Sequence, residues 1–95
     1  MAYTDIDPHL VAPKRFVSLA HLRQVEQADY PALHETTGLS MPDLSKVLRD
    51  LEARGLVEIS KERKNRYGMT LARLTPEGRR TFQDLVETLR RIAGS

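Results

Sequence analysis

The sequence predicts a mainly α-helical domain carrying one small β-hairpin, and three observations point to it. Apolar residues recur with a period near 3.6 from about residue 14 to residue 55. The period changes to 2 at Leu56 and returns to 3.6 after Thr75-Pro76. Each change coincides with capping or turn residues, which mark where one element stops and the next begins.

Asp7-Pro8 reads as an N-cap followed by a first-turn proline and predicts a short helix within residues 1–13. Pro13 restarts the pattern. From Lys14 to about Val25, Phe16, Leu19, Ala20 and Leu22 form a stripe, with Arg15, Ser18 and Arg23 left for other faces. Asp29 can cap a third helix of about two turns that contains Leu33, and Gly38 suits its left-handed end. Ser40 with Asp43 three residues later is a variant capping box. The helix it opens spaces Leu44, Val47, Leu48 and Leu51 as i, i+3, i+4, i+7 and stops at Gly55.

Leu56-Val57-Glu58-Ile59-Ser60 alternates as a strand does, with Val57 and Ile59 on one face. Residues 61–66, Lys-Glu-Arg-Lys-Asn-Arg, carry four positive charges against one negative and read as a basic hairpin tip. A turn at Tyr67-Gly68 is expected to lead into a second strand from Met69 to Leu74. Thr75 caps the last helix, Pro76 fills its first turn and Glu77 complements its dipole. Phe82, Leu85, Val86, Leu89 and Ile92 form its apolar stripe.

A lone hairpin cannot close into a large sheet, so it must lie against the helices as an appendage. The order is therefore that of a winged helix-turn-helix: one domain over 1–95, the helix-turn-helix at 29–55 and the wing at 56–74. Residues 1–13 and 76–93 are left as dimerisation helices.

Composition excludes several function classes. The chain of 95 residues is 40% apolar and 29% charged, a balance that folds and needs a core. The absence of cysteine rules out disulfides, thiolate catalysis and sulfur-built zinc sites. The glycines at 38, 55, 68, 78 and 94 are too scattered to cradle a phosphate, and His9, His21 and His34 lack metal-binding spacing. No nucleophile is paired with a base, so neither an enzyme nor a cofactor is expected. Without a long apolar run or a signal segment, membrane association is not expected and a cytoplasmic location is.

Charge distribution turns the fold towards double-stranded DNA as partner. Residues 1–50 hold five Lys/Arg against seven Asp/Glu, whereas residues 51–95 hold ten against six. In a helix-turn-helix the second helix offers its N-terminal outer residues to the major groove. With the leucines inward, Pro42, Ser45, Lys46 and Arg49 face outward, with Ser40 and Met41 at the helix start. Arg49 suits a guanine, Ser45 and Lys46 a base or phosphate, and Met41 a thymine methyl. The helix alone leaves open a second reading, in which Lys46 and Arg49 simply pair with Asp43, Asp50 or Glu52. Lys61, Arg63, Lys64, Asn65 and Arg66 in the wing favour the DNA reading, since they place cations where backbone or minor groove would lie.

The surplus of apolar residues at the termini predicts a homodimer, with Leu10, Val11, Val86, Leu89 and Ile92 at the interface. Phe82 and Leu85 fit a core role equally well. The rival class is a protein-docking module, because the fold alone does not fix function.

Asp7-Pro8-His9-Leu10, Gly38-Leu39-Ser40, Leu44-Ser45, Gly55-Leu56-Val57 and, above all, Leu74-Thr75-Pro76-Glu77-Gly78 after a basic wing resemble the short winged-helix regulators related to the MarR group. That resemblance implies a homodimeric regulator with dimer contacts from the terminal helices and DNA contacts from recognition helix and wing. The terminal helices are short for a large ligand pocket, and no small-molecule effector is specified.

Overall fold

In the computed structural model, which describes residues 2–64 and 67–94, a 3-10 turn at Tyr3–Asp5 leads to four α-helices and three strands. In chain order these are α1 (Pro13–Arg23), β1 (Ala28–Asp29), α2 (Tyr30–Thr37), α3 (Met41–Ala53), β2 (Val57–Lys64), β3 (Tyr67–Leu74) and α4 (Pro76–Ala93). The sheet is antiparallel with order β1-β3-β2, and its register runs from Val57↔Leu74 to Lys64↔Tyr67. This is the mainly helical, winged helix-turn-helix architecture that the periodicity predicts.

Local chemistry sets the boundaries. The Asp29 side chain accepts from the Ala32 amide at 2.8 Å, and α2 ends at Gly38 with φ 76°. Ser40 accepts from the Asp43 amide at 3.2 Å and opens α3. Thr75 accepts from the Gly78 amide at 2.9 Å and donates to the Gly55 carbonyl at 2.7 Å, so the cap of α4 also ties it to the end of α3. Thr75 N–H donates to the Leu56 carbonyl at 3.1 Å and closes the base of the hairpin.

The core lies between the helices and one face of the sheet. It gathers Leu19 and Leu22 of α1, Leu33 of α2, Leu44, Leu48 and Leu51 of α3, Val57, Ala72 and Leu74 of the sheet, and Phe82 and Leu85 of α4. The Phe16 and Phe82 rings, 5.4 Å between centroids, join α1 to α4. Phe82 and Leu85 thus serve the intramolecular core.

Four expectations are corrected. No helix forms after Asp7-Pro8: the Asp7 carboxylate accepts from the His9 and Leu10 amides and closes a local turn. Pro13 becomes the first residue of α1, and the segment before it is too short for a helix to propagate. This turn buries Leu10 to 3% exposure in the core, so Leu10 offers no surface to a second chain. Ser18, off the apolar stripe of α1, is also fully buried, its hydroxyl satisfied by donating to the Lys14 carbonyl at 2.8 Å. The sheet has a third strand, β1, whose two residues pair with Leu71 and Ala72.

The wing is the fourth correction. Lys61–Lys64 belong to β2 rather than to a loop, and Tyr67 and Gly68 belong to β3 rather than to a turn. An antiparallel ladder continues wherever both strands can alternate, and Lys61↔Thr70, Glu62↔Met69 and Arg63↔Gly68 extend it past the last core pair, Ile59↔Ala72. Asn65 and Arg66 lie outside the described residues.

Candidate nucleic-acid interface

The helix α3 separates two faces. Leu44, Val47, Leu48 and Leu51 are buried, while Ser40, Met41, Pro42, Lys46 and Arg49 are exposed and Ser45 is half-buried. The six expected contact residues of this helix therefore share its outer surface and first turns, with Met41 42% exposed at its N-terminal end.

The acidic residues of α3 are engaged away from its cations. Lys14 Nζ donates to Asp43 Oδ2 at 2.9 Å, and Arg15 Nε donates to Asp50 Oδ2 at 2.9 Å. His9 Nε2 reaches the same Asp50 oxygen at 2.6 Å; a carboxylate only accepts, so the imidazole donates there. Glu52 accepts from the Ile59 amide at 3.3 Å, joining α3 to β2. Among the described residues, Lys46 and Arg49 make no ion pair. The alternative reading of a self-neutralised helix face is thus disfavoured by geometry.

The titration of these carboxylates agrees with that pairing. The Lys14 hydrogen bond and charge hold Asp43 below the usual carboxylate range, with smaller help from Ser40 and Lys46. Partial burial pushes Asp50 up, but bonds from Arg15 and His9 outweigh it and leave its pKa lowered. Burial, reinforced by the charge of Glu52, raises the Tyr30 phenol, and Arg49 opposes it.

The wing presents its cations by alternation. Lys61 and Arg63 follow Val57 and Ile59 on the face that carries the core, but they lie beyond it and are exposed. Glu62 points to the opposite face, and Arg73 on that side is occupied by Glu58 at 2.7 Å. Lys64 lies in β2 by its backbone. The sequence contains this separation of Lys61 and Arg63 from Glu62, but only once the strand is known to run through them.

The expected dimer residues differ in exposure. Val86 and Leu89 are half-buried against the core, Val11 is half-buried in the N-terminal turn, and Ile92 is 42% exposed near the end of α4. Among the described residues no cluster of His, Asp or Glu could hold a metal ion, and no helix is long and apolar enough to cross a membrane.

Comparison with known proteins bears on this geometry. A family model described as a winged helix DNA-binding domain matches residues 15–93. The fold is similar to that of the transcriptional regulator homologue from Pyrococcus horikoshii OT3, at 22% identity over 90% of this chain and 85% of that one, with a TM-score of 0.85. It is similar to Bordetella bronchiseptica BpsR, whose DNA binding is regulated by 6-hydroxynicotinic acid, at 26% identity, 97% and 69% coverage and a TM-score of 0.78. The PcaV transcriptional regulator of Streptomyces coelicolor, solved with its natural ligand, gives 27% identity, 95% and 62% coverage and 0.77. The chain thus spans from 62% to 85% of the length of these three. No curated protein matches it by sequence.

Proposed function

Because this chain belongs to the family of winged helix DNA-binding domains, we propose that it is a sequence-specific transcriptional regulator that acts as a homodimeric repressor. The observation that carries this reading is the outward pair Lys46 and Arg49 on α3, unpaired among the described residues, together with a wing whose Lys61 and Arg63 share one face. The resemblance to regulators related to the MarR group supports the same reading.

In this mechanism the start of α3 enters the major groove. Arg49 takes a guanine through two parallel hydrogen bonds, Ser45 and Lys46 bond to base or phosphate, and Met41 packs on a thymine methyl. Ser40 and Pro42 lie at the groove edge. The cations of the wing, Lys61, Arg63 and Lys64 with Asn65 and Arg66, follow the flanking backbone and set affinity rather than sequence. A second copy pairs through Val86, Leu89 and Ile92, with Val11 alongside, and two-fold symmetry then sets two copies of α3 on inverted half-sites about one helical turn apart. Occupying that site blocks polymerase.

Site selection from a randomised duplex pool tests this directly. An inverted repeat is expected to be enriched, and Arg49→Ala to cost about 1–3 kcal/mol and relax preference at one base per half-site. Absence of both salt-dependent binding and enrichment rejects the reading in favour of a protein-docking module.

A further inference from the structure

Resting on that DNA-binding reading, we infer that Lys14 and Arg15 are positioning residues for Lys46: they engage Asp43 and Asp50, so that neither forms an ion pair with Lys46 and its ammonium is left for DNA. Lys46 follows Asp43 by three residues and precedes Asp50 by four. On a helix both spacings place side chains as neighbours, with Cβ atoms about 5–6 Å apart. In an isolated copy of α3 the two carboxylates would therefore compete for Lys46, and the helix would be internally neutralised at the position proposed to meet DNA.

The fold prevents this from outside the helix. Asp43 is held by Lys14 at 2.9 Å, and Asp50 by Arg15 at 2.9 Å and His9 at 2.6 Å. Arg15 Nη1 also donates to the His9 carbonyl at 3.3 Å, which locks the N-terminal turn into the same arrangement. Lys14, Arg15, Asp43, Lys46 and Asp50 line one cavity of about 610 Å³ between the start of α1 and α3. Lys14, Arg15 and both carboxylates thus stand around one space, and Lys46 is the cation there that makes no ion pair among the described residues. The lowered titration of both carboxylates agrees with their being held in ionised form by these cations.

The consequence is an indirect role that differs from a direct phosphate contact. Without Lys14, Asp43 turns to Lys46, and the complex loses the counterion release that Lys46 contributes. Lys14 and Asp43 are both solvent-accessible at their side chains, 58% and 45%, so their replacement leaves the core intact. The Arg15 and Asp50 pair is more enclosed and serves as the second, independent arm.

Salt titration of binding to a random-sequence duplex, for wild type, Lys14→Gln, Asp43→Asn and the double variant, tests the inference. Lys14→Gln is expected to make the slope of log K against log salt shallower by about 0.9 per subunit, and to weaken low-salt binding roughly three- to tenfold. Adding Asp43→Asn is expected to restore the wild-type slope, and Lys14→Gln is expected to change nothing further in a Lys46→Gln background. Arg15→Gln with Asp50→Asn is expected to repeat the pattern. A slope that stays shallow in Lys14→Gln/Asp43→Asn overturns the inference, because Lys14 then touches DNA itself. An unchanged slope in Lys14→Gln, with or without a lower thermal midpoint, overturns it as a merely structural pair. Failure of the wild type to bind any duplex is a different result, and it removes the DNA-binding reading itself.

Discussion

A Cβ on Gly78 would stand 2.0 Å from the Leu56 carbonyl oxygen and 2.9 Å from its carbon. The first turn of α4 therefore rests on the base of the wing at a distance that only a hydrogen side chain permits. Gly78→Ala is expected to destabilise the fold by about 1–3 kcal/mol, through overpacking against backbone that cannot rotate away. For a domain of this size each kcal/mol lowers the thermal midpoint by roughly 4–8 °C, so a melting curve reads the effect, and an unshifted midpoint contradicts the contact. The glycine was legible in the Leu74-Thr75-Pro76-Glu77-Gly78 string, but its reason was not, because Leu56 lies 22 residues upstream. Ser18 shows the same limit: a hydroxyl that bonds back to the Lys14 carbonyl can sit in a core, and no apolar period announces it.

At the scale of elements, the wing divides its charge between two faces, and that division makes a prediction. Lys61→Gln with Arg63→Gln is expected to weaken binding to all duplexes alike and to make the salt slope shallower by about 2 per subunit, while Glu62→Gln leaves the slope unchanged. Salt titrations on matched and unmatched duplexes check both. Elements whose ends are set by neighbours in sequence were legible: Asp29, Ser40 and Thr75 each cap the helix expected of them. Elements set by distant partners were not. The strand β1 has two residues and exists only through Leu71 and Ala72. The Asp7-Pro8 signal was real as an amide-capping carboxylate, yet Pro13 and the burial of Leu10 turned the chain before a helix could grow. In the candidate site, the outward stripe of α3 followed from its leucines. The capture of Asp43 and Asp50 did not, since their partners lie 29 and 35 residues earlier.

At the scale of the whole molecule, α1 and the N-terminal turn are joined to α3 by carboxylates, and this gives the fold a pH dependence. Asp43 and Asp50 both titrate below their usual range when folded. Carboxylates of this kind supply stability above their unfolded value, near 4, and lose it as pH falls through the lower folded values. The thermal midpoint is therefore expected to hold from neutral pH down to about pH 4 and to fall below it. An Asp43→Asn/Asp50→Asn variant is expected to start lower at neutral pH and to show a flatter acid limb, which calorimetry across that range measures. Stability that rises on acidification would contradict the pairing.

The sheet order β1-β3-β2 leaves β2 at the border of the sheet along its eight residues. A border strand offers its backbone amides and carbonyls to any other extended chain, and charged side chains are a common means of preventing such strand addition. Glu58, Lys61, Glu62, Arg63 and Lys64 occupy most of β2. The same lysines and arginine proposed to follow a phosphate backbone thus guard the protein against self-association into aggregates. Neutralising the wing is then expected to weaken DNA binding and solubility together.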